Sequence, residues 1–205
     1  MDAKIWYFGR NDLQSYCYLI SNSDTERLSI LEETNDGITI SQESINIAKE
    51  TLEEDLDIKN ENLKRFAGAF NGNGCWIRGM RIDTQKRYQG LFGYQSGVIS
   101  NLTIKYSDVK AGESSGILVG LNEGKIKNCR VENSSITSNE KTGGLVGIAM
   151  TNSIVEDCKI DKFSNVSGKK NIGGLIGYIN NNVTIQNLTN ESTVKGDEYI
   201  GGIAG

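Results

Sequence analysis

The chain has 205 residues, a hydrophobic content of 37% and a formal net charge of −4. The slight acidity gives no basic footprint for nucleic acid, and no stretch is long and apolar enough for a membrane span. Histidine is absent, which removes the commonest general base and metal ligand and every Ser-His or Cys-His nucleophile pair.

Met1 to Ile20 is broken by Asp2, Lys4, Arg10 and Asp12. It has no continuous apolar core and is not a standard secretory signal. Ile5–Phe8 and Tyr16–Ile20 are rich in aromatic and β-branched residues and predict strands. Leu28–Leu31 and Ile38–Ile40 are weaker strand candidates. Ser41–Lys49 predicts a short helix with Ser41 as its N-cap. In Thr51–Ile58, Leu52, Leu56 and Ile58 fall on one alternating face, which favours a strand over a helix continuing to Asp55.

Phe66–Gly74 reads as a hinge. Its two Asn-Gly steps supply the positive-φ positions that a sharp corner needs. Beyond it the chain repeats. Leu91-Phe92-Gly93, Leu118-Val119-Gly120, Leu145-Val146-Gly147, Leu175-Ile176-Gly177 and Ile203-Ala204-Gly205 share one pattern. Their leading residues stand 27, 27, 30 and 28 apart (118−91, 145−118, 175−145, 203−175). A period of this size marks a solenoid, whose repeats bury their apolar faces only by stacking.

A second signature, apolar-x-polar-apolar-x-apolar, lies before the first of these copies and between the rest. It reads Ile77–Ile82, Ile99–Ile104, Ile126–Val131, Val155–Ile160 and Ile185–Asn190. Alternation with one extra inward residue is what a strand shows at a corner. The paired glycines Gly143-Gly144, Gly173-Gly174 and Gly201-Gly202 exclude a helical repeat. The expected architecture is mainly β: a parallel β-helix-like solenoid over 66–205, with a non-repeat α+β or β-rich cap over 1–65. Leu91, Leu118, Leu145, Leu175 and Ile203 form the expected interior ladder. Replacing Leu145 by Ala should then cost far more than a surface change such as Lys141→Ala.

Gly90-Leu91-Phe92-Gly93, Gly144-Leu145-Val146-Gly147 and Gly174-Leu175-Ile176-Gly177 resemble the GLUG-motif repeats of bacterial proteins. Ile117 stands where the adjacent glycine is usual, and Gly202-Ile203-Ala204-Gly205 is a degenerate copy. The lead-in from Asp55 to Gly74 is also similar, with Asn71 in place of the usual aspartate. The resemblance covers about residues 51–205. It implies a right-handed solenoid and a place in large exported or surface proteins, including some immunoglobulin A proteases, apart from the catalytic domain.

Cys129 and Cys158 fall at one repeat position, grouped with Met80, Leu102 and Leu188. They are expected as core residues one rung apart. A disulfide between rungs is the sharper alternative. A zinc site lacks its usual spacing and its histidines. Cys17 and Cys75 show no paired logic. Asn101, Asn128, Asp157 and Asn187 form a polar ladder, expected to bond up and down the stack. A calcium site would need more carboxylates than the one aspartate supplies. Six Asn-x-Ser/Thr sequences, at Asn101, Asn133, Asn165, Asn182, Asn187 and Asn190, follow from a composition rich in Asn, Ser and Thr.

Glu53, Glu54, Asp55 and Asp57 form an acidic cluster, read as a solvated edge rather than a glycosidase pair. Thr103, Thr137 and Thr184 do not build a regular Thr-x-Thr face. Tyr88, Tyr94, Tyr106, Tyr178 and Tyr199 could stack on sugars where exposed. No catalytic, cofactor or metal residue is assigned. The leading function is a structural, adhesive or protein-interaction module with a protein or glycan partner at a cell surface. The alternatives are an intracellular interaction protein acting through its N-terminal region, and a carbohydrate-active β-helix enzyme. The last repeat signature, open at Gly205, predicts continuation or end-to-end association through the C-terminal coil.

Overall fold

The computed structural model describes residues 65–205 and five short strands before them: Tyr7–Arg10, Leu19–Ile20, Arg27–Leu28, Leu31–Thr34 and Gly37–Ile40. Residues 65–205 form a parallel β-solenoid of five coils. Its strands stack in five walls. The first wall stacks Ala69–Asn71, Val98–Ser100, Lys125–Lys127, Ile154–Glu156 and Thr184–Gln186. The second stacks Cys75–Arg78, Thr103–Lys105, Arg130–Glu132, Lys159–Ile160 and Thr189–Asn190.

The third wall stacks Arg81–Asp83, Asp108–Lys110, Ser135–Thr137, Asn165–Ser167 and Thr193–Lys195. The fourth holds Glu140–Gly143, Lys170–Gly173 and Glu198–Gly201, and the fifth Phe92–Gln95, Val119–Asn122, Val146–Ala149 and Ile176–Ile179. A bridge from Ile176 to Ala204 continues the fifth wall into coil 5.

Register follows the repeat. Ile99 pairs with Ile126, Val155 pairs on either side with Ile126 and Ile185, and Ile104 pairs with Val131. Ile99, Ile104, Ile126, Val131, Val155 and Ile160 are all buried. A one-residue slip would turn every such residue to solvent, so burial fixes the register. In the motif ladder, the Leu91 N–H donates to Ile117 O. Leu118 donates to Leu145 O, Leu145 to Leu175 O and Leu175 to Ile203 O. Leu118, Leu145 and Leu175 are buried, while Leu91 and Ile203 at the two ends are partly so.

The first coil corrects one alignment made from sequence. Ile77 pairs with Ile104, and Phe70 with Ile99. The copy that begins the second signature is therefore Phe70–Ile77, lengthened by the Asn71–Gly74 corner, and not Ile77–Ile82. Met80 lies one wall further on, with its N–H on Ser107 Oγ at 3.2 Å. Cys75, not Met80, stands beneath Leu102.

Of the N-terminal strands, Tyr7–Arg10 runs antiparallel to Cys75–Arg78 and closes that edge of the second wall. Leu31–Thr34 and Gly37–Ile40 form an antiparallel pair, as do Leu19–Ile20 and Arg27–Leu28. The strand expected over Leu28–Leu31 is two strands, ending at Leu28 and starting at Leu31. The helix expected over 41–49, the strand over 51–58 and the acidic cluster from Glu53 to Asp57 lie outside the described residues.

Candidate functional site

Two corners of the solenoid and the edge formed by its fourth and fifth walls concentrate the polar and aromatic side chains. Between the first and second walls, Asn101, Asn128, Asp157 and Asn187 take φ of 55°, 50°, 56° and 51°. This left-handed conformation explains the residue type, because Asn and Asp enter it at lower cost than other side chains with a Cβ. Their side chains bond along the stack. Asn101 Nδ2 donates to Asn71 Oδ1 at 2.9 Å and Asn128 Nδ2 to Asn101 Oδ1 at 2.8 Å. Asn187 Nδ2 donates to Asp157 Oδ1 at 2.9 Å.

The next residue on each coil points inward. Cys75, Leu102, Cys129, Cys158 and Leu188 form that column, given by the pairings of Trp76, Thr103, Arg130, Lys159 and Thr189 that follow them. Cys129 and Cys158 are free thiols, each 1% exposed. Each donates to the carbonyl two residues back, Cys129 Sγ to Lys127 O at 3.4 Å and Cys158 Sγ to Glu156 O at 3.1 Å. The neighbouring Cys158 thiol, together with burial, pushes the Cys129 thiol well above its usual pKa. Cys75 is disulfide-bonded, a pairing for which the spacing of cysteines offered no signal. Cys17 lies outside the described residues.

Between the second and third walls runs a buried serine column that sequence reasoning missed. Met80 N–H donates to Ser107 Oγ, Ser107 N–H to Ser134 Oγ and Ser134 N–H to Ser164 Oγ, at 3.2, 3.1 and 3.1 Å. The hydroxyls of Ser107 and Ser134 in turn donate to Lys105 O and Glu132 O. Each serine thus satisfies a backbone donor that a tight corner leaves unpaired. The signal was available: Ser-x-Val/Ile recurs at Ser107, Ser134, Ser164 and Ser192, spaced 27, 30 and 28 (134−107, 164−134, 192−164). On the inner face of the fifth wall, Gln95 Nε2 donates to Asn122 Oδ1, both residues being fully buried.

A column of left-handed backbone runs along the fourth wall. Tyr88, Ser114, Lys141, Asn171 and Tyr199 occupy one position on successive coils, all left-handed, with φ from 52° to 58°. The backbone of this position abuts the final glycine of the repeat motif on the coil above. A Cβ on Gly120 would lie 2.3 Å from Tyr88 C, one on Gly147 2.4 Å from Ser114 C, and one on Gly177 2.2 Å from Lys141 C. That contact is the physical reason for the closing glycine of the motif.

Alongside this column, Tyr94, Leu121, Ile148 and Tyr178 pair in register on the outer face of the fifth wall. Of the five tyrosines in 65–205, four (Tyr88, Tyr94, Tyr178 and Tyr199) stand on this one edge. Tyr178 is 40% exposed and Tyr199 66%. Cations lie over three of the rings: Arg87 over Tyr88 at 5.3 Å, Lys141 over Tyr178 at 5.7 Å and Lys170 over Tyr199 at 5.6 Å. Tyr106, also left-handed, lies at the corner between the second and third walls, with Arg78 of the coil below 4.9 Å from its ring.

Carboxylates on the outer walls meet lysines of the coil below. Lys105 reaches Glu132 at 3.0 Å, Lys125 and Lys127 converge on Glu156 at 2.8 and 2.9 Å, and Lys159 meets Glu191 at 2.5 Å. Lys125 and then Lys127 hold the Glu156 carboxyl below the usual range, by hydrogen bonds. Thr103, Thr137 and Thr184 lie on three different walls. Among the described residues, no group of three or more His, Cys, Asp or Glu gathers as a metal cage. Among the same residues no helix is long and apolar enough to cross a membrane. No family model matches the chain, and neither a curated protein nor a solved structure matches it.

Proposed function

We propose that this chain is a non-enzymatic adhesive or protein-interaction module, and that the tyrosine-lined edge between the fourth and fifth walls is its contact face. The observation that carries this reading is the gathering of four tyrosines on one edge of the solenoid. Tyr88 and Tyr199 hold left-handed backbone there, a conformation unfavourable for a bulky side chain and of the kind retained where a site uses it. Tyrosine offers a large, rigid and amphipathic contact surface, and stacked cations add affinity for anionic groups.

Tyr88 on coil 1 and Tyr199 on coil 5 stand four rungs apart, roughly 19 Å at the spacing of paired strands. An extended partner, a glycan chain or an extended peptide, suits a contact line of that length. The resemblance to GLUG repeats points to the same class. The disulfide at Cys75 supports an oxidising compartment such as a cell surface. Both free thiols are buried, so they carry no information on the compartment.

The test is a glycan and surface-protein array probed with the full chain and with a Tyr178→Ala/Tyr199→Ala double variant. Retained signal that the double variant loses, while Phe163→Ala keeps it, supports the reading. Signal that binds and then decays as the spot is consumed would replace it with an enzymatic one. Equal binding by wild type and double variant would move the contact face elsewhere.

A further inference from the structure

We infer that Cys129 and Cys158 form a buried, linear two-thiol site for a soft d10 metal ion. The site is independent of the proposed contact edge. Paired parallel strands repeat at about 4.8 Å, and the two cysteines occupy one register position on coils 3 and 4. Their side chains take matching orientations, since each thiol reaches the carbonyl two residues back. The sulfurs therefore stack at about the rung spacing.

That spacing discriminates between two chemistries. A disulfide needs Cβ atoms about 3.5–4.5 Å apart, closer than in-register strands place them. A metal–thiolate bond is about 2.3 Å for zinc, and similar for other d10 ions, so a linear S–metal–S unit spans about 4.6 Å. The rungs match the second distance without moving. Two sulfurs do not complete a zinc tetrahedron, and thiolate is a soft ligand that selects ions such as copper(I).

The surroundings suit a small charge-neutral complex. Leu102 below is buried and Leu188 above is partly so, and the half-exposed coil 5 is the shorter way in. An anionic bis-thiolate would be costly in such an interior. A monovalent ion therefore replaces one thiol proton, which leaves to solvent, and binds the second sulfur as a thiol. A divalent ion replaces both protons. Packing alone does not demand sulfur here, because coils 2 and 5 place leucine at the same position.

Silver(I), which is redox-inert and prefers two ligands, is the probe. The full chain, with the Cys75 disulfide intact, should take up one silver ion, gain several degrees in Tm and show two sulfur neighbours by X-ray absorption. A Cys129→Leu/Cys158→Leu variant, carrying the residue coils 2 and 5 use, should fold, bind none and show no shift. Equal uptake by that variant overturns the site, as does a single sulfur neighbour or binding that unfolds the wild-type chain. Should the double variant fail to fold, the sulfur count on the wild type decides alone.

Discussion

Asn187 donates its side-chain proton to Asp157 at 2.9 Å, but Asp157 has no proton to pass on to Asn128. Lower in the column Asn128 and Asn101 each donate to the coil below, and Asn101 also accepts from the coil above. An ionised carboxylate only accepts, so the chain of side-chain bonds is interrupted at this rung. Lys127 compensates in part, with its ammonium 3.7 Å from Asp157 Oδ2. Asp157→Asn should restore the bond to Asn128 Oδ1, keep the left-handed backbone and retain the acceptor for Asn187. A gain of about 0.5–1 kcal/mol is expected from one net hydrogen bond against an exposed ion pair. Denaturant melts that show a loss would mean that the Lys127 contact outweighs the amide ladder.

The interior ladder makes the largest single-residue prediction. Leu145→Ala removes a side chain 1% exposed in the middle coil and should cost about 2–5 kcal/mol. Lys169→Ala is the proper surface control, because Lys141 is left-handed and lies over Tyr178. Urea unfolding of both variants checks it. Equal midpoints would remove Leu145 from the core.

Gly174 and Gly202 hold the same repeat position but differ in what stacks above them. A Cβ on Gly174 would meet Gly202 O at 2.1 Å, while one on Gly202 meets nothing within 4 Å. Gly174→Ala should therefore destabilise by about 1–3 kcal/mol or more, and Gly202→Ala should leave the 205-residue chain near wild type. Thermal melts of the matched pair separate close packing from intrinsic propensity. Equal shifts would favour propensity.

In the serine column, Ser134 accepts from Ser107 N–H at 3.1 Å and is 3% exposed. Ser134→Ala leaves that buried donor unpaired, at a cost of about 1–3 kcal/mol. Native-state hydrogen exchange at Ser107 should accelerate. An unchanged rate at that amide would show that another acceptor takes over.

Glu156 sets an acid limb of stability. Its folded pKa is depressed by Lys125 and Lys127. The contribution is therefore present above the unfolded carboxylate pKa, about 4.3, and is lost as pH falls through the lower folded value. The Tm gap between wild type and Glu156→Gln should be open at neutral pH, shrink on acidification below that range, and narrow in high salt. A gap independent of pH would assign Glu156 a packing role instead.

The repeat alone makes most of the solenoid legible. Alternation placed Ile99, Ile126 and Val155 inside, and stacking follows because an apolar coil face has no other cover. Phase was harder. Met80 and Ile82 imitate the signature, but Asn71–Gly74 lengthens the first corner, so the true partner of Leu102 is Cys75. The serine column has a period of its own, but a serine carries no obvious burial signal. The tyrosine edge could not be read from spacing, since Tyr94 and Tyr178 belong to one column and Tyr88 and Tyr199 to another.

The sequence by itself determined the coil length, the inward apolar positions and the need for Asn, Asp or Gly at corners. Each of these is a property of one coil and its period. The tertiary structure alone decided which backbone each motif glycine touches, which rungs share a bond or ion pair, and which side chains of different columns meet on one edge. Those relations join residues about thirty positions apart through a register that exists only once the coils have stacked.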